Sequence, residues 1–251
     1  MRFFIKRRNN NTKCGFTRIT AHGFAVAVIL ISMFMPALSV SVQAAEMEGK
    51  ENTEERKVTT ARDAFTYLNI PPLEILKRTT RLDMLDYWDA DSVYKATNAM
   101  NGLSWIEKCT PDYIKVQLTP VSTLELKMLR SKKDGVITMA VYTVGNQSQS
   151  EDSEITFSDE KLHQLDAKKL FKQPKLEAFF DIPKGSLTSM KEIREMIPFP
   201  TVAYTASPDN DNLEARLTVG TYMNIDDYNI VKLFLKPVVK LKWDGKEFKQ
   251  L

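Results

Sequence analysis

The chain has 251 residues, with 35 basic against 32 acidic side chains, two cysteines and two histidines. Counted whole it carries +3, but the first 44 residues hold six basic side chains and no acidic one, so the remainder is close to −3. That remainder keeps one cysteine and one histidine, which excludes an internal disulfide and a zinc site built from several His or Cys ligands. Its slight acidity gives no electrostatic footprint for nucleic acid.

Arg2, Lys6, Arg7, Arg8, Lys13 and Arg18 precede an apolar run from Phe24 to Leu38. Val42-Gln43-Ala44 then supplies small residues at the −3 and −1 positions of a cleavage site. This is the pattern of a secretory signal peptide over residues 1–44. An uncleaved anchor is the alternative, but a spanning helix needs ~20 apolar residues, and Pro36 interrupts this run. Cleavage near Ala44 is expected. It would leave the protein in the periplasm or secreted, with membrane contact only through the signal segment before cleavage. Residues 45–60 carry no apolar period and read as a flexible polar tail.

Ala61–Leu68 reads as a short helix, ended by Asn69-Ile70-Pro71-Pro72 because proline disfavours helix at the residue before it. Thr80 with Asp83 resembles a capping box for a helix over Arg81–Asp89. That helix would carry Leu82, Leu85 and Trp88 on one stripe and Asp83, Asp86 and Asp89 on another. The three aspartates read as a solvated face, since no glycine-turn calcium loop accompanies them. Leu103–Cys109, Ile114–Leu118, Leu124–Met128 and Val136–Val144 read as strands. Lys115, Gln117, Glu125 and Lys127 alternate with the apolar positions of the middle two. Glu154–Leu165 reads as a hairpin, so the first half is an antiparallel meander with one wet face.

The second half opens on a short helix at Leu176–Phe180. Ser189 and Glu192 form a capping box for a helix that ends before Pro198. Phe199–Ala206 and Leu213–Val219 read as strands, and Asn224 caps a helix stopped by Pro237. Val238–Leu251 closes the chain as a hairpin turning at Asp244-Gly245, a pair suited to a type I′ turn.

This terminal hairpin has a counterpart without gaps. Ile155, Phe157, Leu162, Gln164 and Leu165 stand 86 residues before Leu241, Trp243, Phe248, Gln250 and Leu251. The two halves, 61–166 and 167–251, therefore read as two tandem helix-plus-four-strand units. Two unrelated segments sharing common turn chemistry are the alternative. The fold class expected is α+β, with antiparallel sheets carrying short helices on one face.

No catalytic, cofactor or metal residues are assigned, and a non-catalytic protein without cofactors is expected. His163, the sole histidine after residue 44, sits in a hairpin among charged residues, with no nucleophile-elbow serine to serve. Cys109 reads as a small buried apolar residue, with an intermolecular disulfide or a reactive thiol as the alternatives. Trp88, Trp105, Trp243, Tyr87 and Phe248 are at core spacing, with a lining for a lipid or glycan as the alternative. The expected wet sheet face carries Lys115, Gln117, Glu125, Lys127, Lys240 and Lys242, a candidate surface for binding another envelope protein. The second functional reading is a carrier or sensor of a lipid-like apolar ligand held between sheet and helices. A carboxylate-based hydrolase ranks third, because nothing singles out a pair of acids.

Several segments together resemble a Bacteroidales family of exported proteins of unknown function. They are Ile70-Pro71, Leu85–Asp89, Asp112–Leu118, Leu124–Leu129 and Trp243–Phe248. The resemblance implies a Gram-negative envelope and no activity, so no functional residues carry over. In layout, two helix-plus-strand units look like the β-lactamase inhibitory protein fold. The departures are the helix near Tyr228 and the absence of paired disulfides.

Overall fold

The structure is a computed structural model, and it describes residues 57–92, 94–146 and 150–251. The expected signal peptide and most of the expected polar tail lie outside these residues. The end of that tail does not: Val58 is fully buried and donates its backbone N–H to the Glu160 carbonyl at 2.7 Å. No helix among the described residues is long and apolar enough to cross a membrane.

Two antiparallel sheets organise the chain. The first has six strands in sequence order. They are β1 (Ala96–Thr97), β2 (Leu103–Thr110), β3 (Tyr113–Thr119), β4 (Ser122–Ser131), β5 (Gly135–Val144) and β6 (Asp152–Ser158). The second has four, β7 (Val202–Ala206), β8 (Asn212–Leu217), β9 (Val239–Trp243) and β10 (Phe248–Gln250), ordered β10-β9-β8-β7. The expected α+β class holds, with six and four strands in place of two equal sets.

The period of two in β4 serves two cores at once. Leu124, Leu126 and Met128 point to one face, where they meet the first helices. These are α1 (Ala61–Tyr67), a 3₁₀ turn at Pro71–Leu73 and α2 (Arg78–Asp89), which contribute Phe65, Leu68, Leu73, Leu76, Met84 and Leu85. On the opposite face Leu129 of β4, Ile137, Met139 and Val141 of β5 and Phe157 of β6 pack against the second sheet. Val202, Tyr204, Leu213, Leu241, Trp243 and Phe248 answer from that side. Burying a large aromatic such as Trp243 or Phe248 stabilises by several times the ~0.8 kcal/mol of one CH₂.

β7 is the edge strand of the second sheet, and its free edge abuts the face of the first. The backbone N–H groups of Val202, Tyr204 and Ala206 donate to Asp152 Oδ1 (3.2 Å), Ser153 Oγ (3.0 Å) and Glu125 Oε2 (2.8 Å). Side chains thus replace the missing neighbouring strand, which satisfies an edge that would otherwise bury unpaired donors.

Several local expectations change. α2 begins at Arg78, three residues before the expected start, so Thr80 lies inside the helix and caps nothing. Its buried residues are Arg81, Met84 and Leu85, while Leu82 is exposed. The reason is Arg81, whose Nη1 donates to the Phe65 and Leu68 carbonyls at 2.8 and 3.0 Å. It thereby covers the open C-terminal end of α1. The capping box at Ser189 and Glu192 forms as expected and opens α4 (Met190–Met196). α3 (Ala167–Leu170) was not expected, and α5 (Ile225–Val231), capped by Asn224, ends well before Pro237.

The matched hairpins differ in register. Trp243 pairs with Phe248 across a four-residue loop, Asp244–Glu247, in place of a two-residue turn. Gly245 alone in that loop takes positive φ, at 91°. In the earlier hairpin Ser158 bridges Gln164, and Leu165 donates its N–H to the Phe157 carbonyl at 2.8 Å. Phe157 therefore faces Leu165, whereas the sequence match would set it opposite Leu162.

Candidate functional site

Two cavities border the first sheet. The first is a groove of about 470 Å³ on the helix side. Its existence follows from side-chain size along β5 and β6. On that face the paired rows read Leu124–Tyr142–Glu154, then Leu126–Ala140–Thr156, then Met128–Thr138–Ser158. The β4 column is bulky and reaches the helices. The columns beside it carry Ala140, Thr156 and Ser158, which fall short and leave a trough. Leu68, Ile70, Pro71, Pro72 and Ile75 form the facing wall. The prolines separate that wall from α1: Ile70 before Pro71 has β-type backbone, and a 3₁₀ turn starts on Pro71. Leu162 and Gln164 close one end, and Met100, Thr119 and Ser122 stand at the other. Apolar surface therefore dominates, with hydroxyl and amide groups spaced along it, as in small-molecule sites.

The second cavity, about 500 Å³, lies where the Pro208–Asn212 loop of the second sheet meets β4. Lys127, Arg130 and Lys242 line it together with Asp112, Asp209 and Asp211. Positive and negative side chains balance, and the lining is polar.

The expected binding surface is divided by this arrangement. Lys115, Gln117, Glu125 and Lys127 do share one face of the first sheet, but the second sheet lands on part of it. Glu125 and Lys127 are buried, at 5% and 4% exposure. Glu125 accepts from Ala206, and the Lys127 ammonium donates to the Pro208 carbonyl at 3.3 Å. Lys115 is half-buried and pairs with Glu107 at 3.0 Å. Gln117, also half-buried, donates through Nε2 to the Thr119 and Ser122 carbonyls at 2.5 and 3.2 Å. Lys240 and Lys242 are exposed on the outer face of the second sheet. The six residues form no common surface, although Lys127 and Lys242 meet at the second cavity.

Burial pushes the Glu125 carboxyl up to about 7, against the opposing pull of the Ala206 N–H, the Lys115 ammonium and the Tyr113 hydroxyl. A carboxyl near neutrality is a common property of catalytic acids. Glu125, however, lines neither cavity and its hydrogen bond closes an edge strand. His163 is exposed, with Nδ1 3.1 Å from Asp159 Oδ2 in the loop after β6. Cys109 is half-buried beside the Arg62–Asp89 pair, and burial raises its thiol above the ordinary value. Arg62 holds Asp89 bidentately at 2.7 and 2.6 Å. Among the described residues no three His, Cys, Asp or Glu side chains gather as metal ligands.

The aromatics divide differently from the expected set. Trp243 and Phe248 are core, with ring centroids 5.3 Å apart and planes tilted by 56°. Tyr87 is exposed and stacks on Tyr94, and Trp105 lies under the Lys95 ammonium. None of the five expected aromatics lines the groove, whereas Tyr142 does. Sequence reading missed Tyr142, Ala140 and Thr156 because their shared wall exists only once β5 and β6 are in register.

The fold and its groove define a two-sheet α+β protein with a pre-formed apolar trough. Residues 58–248 match the family described as "Protein of unknown function (DUF3256)", and the chain belongs to that family. No curated protein matches the chain. A solved structure, a domain of an uncharacterized protein from Porphyromonas gingivalis W83, is similar to it with a TM-score of 0.63 at 18% identity. The match covers 76% of this chain and 96% of that one, a likeness of fold.

Proposed function

We propose that this is a non-catalytic binding protein that holds a small apolar or amphiphilic molecule in the groove between the first sheet and the Leu68–Ile75 segment. One observation carries the reading: a trough of about 470 Å³ walled by Ile70, Pro71, Pro72 and Ile75 over the small side chains of Ala140 and Thr156. A drug-sized ligand is buried in a cavity of this order. The basic leader followed by an apolar run supports a site of action beyond the inner membrane. The alternative of macromolecule binding through a single sheet face is weakened, because Glu125 and Lys127 lie between the sheets. What remains for that reading is the outer face of the second sheet around Lys240 and Lys242.

The test is calorimetric titration with decanol of the wild-type protein and of a Thr156→Phe variant. Phenylalanine suits a strand and would occupy the trough. The reading predicts saturable one-site binding that is lost in Thr156→Phe, with the urea midpoint little changed. Absence of binding, or binding that survives the substitution, would overturn it.

A further inference from the structure

The charges along the groove narrow its ligand, an inference that rests on the binding reading above. Among the described residues, Glu154 is the sole charged side chain lining the groove. It is exposed and forms no ion pair among the described residues. Its partner across the ladder is Tyr142, half-buried and also part of the lining. A carboxylate and a phenol ring therefore stand side by side in one row. That row lies near the end of the sheet where β4 starts at Ser122 and β5 finishes at Val144.

Both groups attract the same kind of partner. The carboxylate draws an ammonium by charge, and the ring face draws it through its quadrupole. The other polar residues of the lining, Asn69, Thr119, Ser122, Thr156, Ser158 and Gln164, are neutral. An anionic head would meet Glu154 with no cation among the described lining residues to offset the repulsion. From the Glu154–Tyr142 row the trough continues past Thr156 to Ser158 and Leu162, under Ile70 and Pro71. We propose that the groove selects amphiphiles with a cationic amine head over those with a carboxylate or phosphate head. The ammonium sits between Glu154 and Tyr142 and the apolar body runs toward Leu162.

Three probes of one chain length separate head from tail: decylamine, decanol and decanoate, each titrated below its micelle threshold near neutral pH. Decylamine is expected to bind about fivefold more tightly than decanol, as a partly exposed ion pair with a ring contact implies, and decanoate more weakly than decanol. In Glu154→Gln the amine should fall to the alcohol's affinity while the urea midpoint stays that of the wild type, which separates loss of charge from loss of fold. Equal binding of amine and alcohol, tightest binding of decanoate, or an amine preference that persists in Glu154→Gln would overturn the head-group assignment and leave the groove reading standing. Binding of none of the three would overturn both.

Discussion

The Glu125 carboxylate accepts the backbone N–H of Ala206 at 2.8 Å, joining strands 81 residues apart in sequence and in different sheets. Burial raises this carboxyl from 4.5 to about 7. A raised value means the native state holds a proton that the unfolded chain has released across that window. The stability this proton contributes is therefore full below about pH 4.5 and is lost as pH rises through about 7, by up to about 3 kcal/mol. Glu125→Gln keeps an acceptor for Ala206 and removes the titration. Urea melts at about pH 4.5 and about pH 8 should show this part of the pH slope in the wild type and not in the variant. Glu125→Ala leaves the Ala206 N–H unpaired and should cost about 1–3 kcal/mol at about pH 4.5, and less at about pH 8, where the wild type has already lost the proton's contribution.

Trp243 ties the terminal hairpin to the first sheet. It is 4% exposed, and its indole N–H donates to the Arg130 carbonyl at 2.8 Å. Trp243→Ala should destabilise by roughly 3–5 kcal/mol through the cavity it leaves. Trp243→Phe keeps most of the apolar contact and gives up the hydrogen bond, for a loss nearer 1 kcal/mol. Equal losses for the two substitutions in urea melts would mean that the indole N–H, and not the packing, sets the contribution.

Arg81 closes α1 from a neighbouring helix. Arg81→Met retains the buried stem and removes both donors to the Phe65 and Leu68 carbonyls. The expected loss is about 1–3 kcal/mol. Amide exchange should quicken locally at Leu68, whose N–H bonds to the Ala64 carbonyl at 2.8 Å. Uniform quickening across the first sheet would argue for a global effect instead.

What the sequence made legible follows the range of the interaction. Alternation located β3 to within one residue at each end and the middle of β4, because period two is written locally, and the apolar, β-rich run located β5 to within one residue. The Ser189–Glu192 capping box and the Asn224 cap were equally local. The wet face failed at Glu125 and Lys127 because alternation says which residues share a face, not what covers it. The covering residues, Ala206 and Pro208, come 81 positions later. The paired hairpins showed the same limit: matching residues took different registers, since loop length sets register. The groove was hidden for a further reason. It is made by what Ala140, Thr156 and Ser158 lack in size, and small residues carry no motif.

The most direct test of the groove is a crystal structure of the protein with a bromine-tagged long-chain alcohol. The anomalous signal locates the bromine without reference to the fold. The account predicts a peak in the trough between Pro71 and Thr156, absent from crystals of Thr156→Phe. A bromine bound only elsewhere, or one unmoved by that substitution, would contradict it.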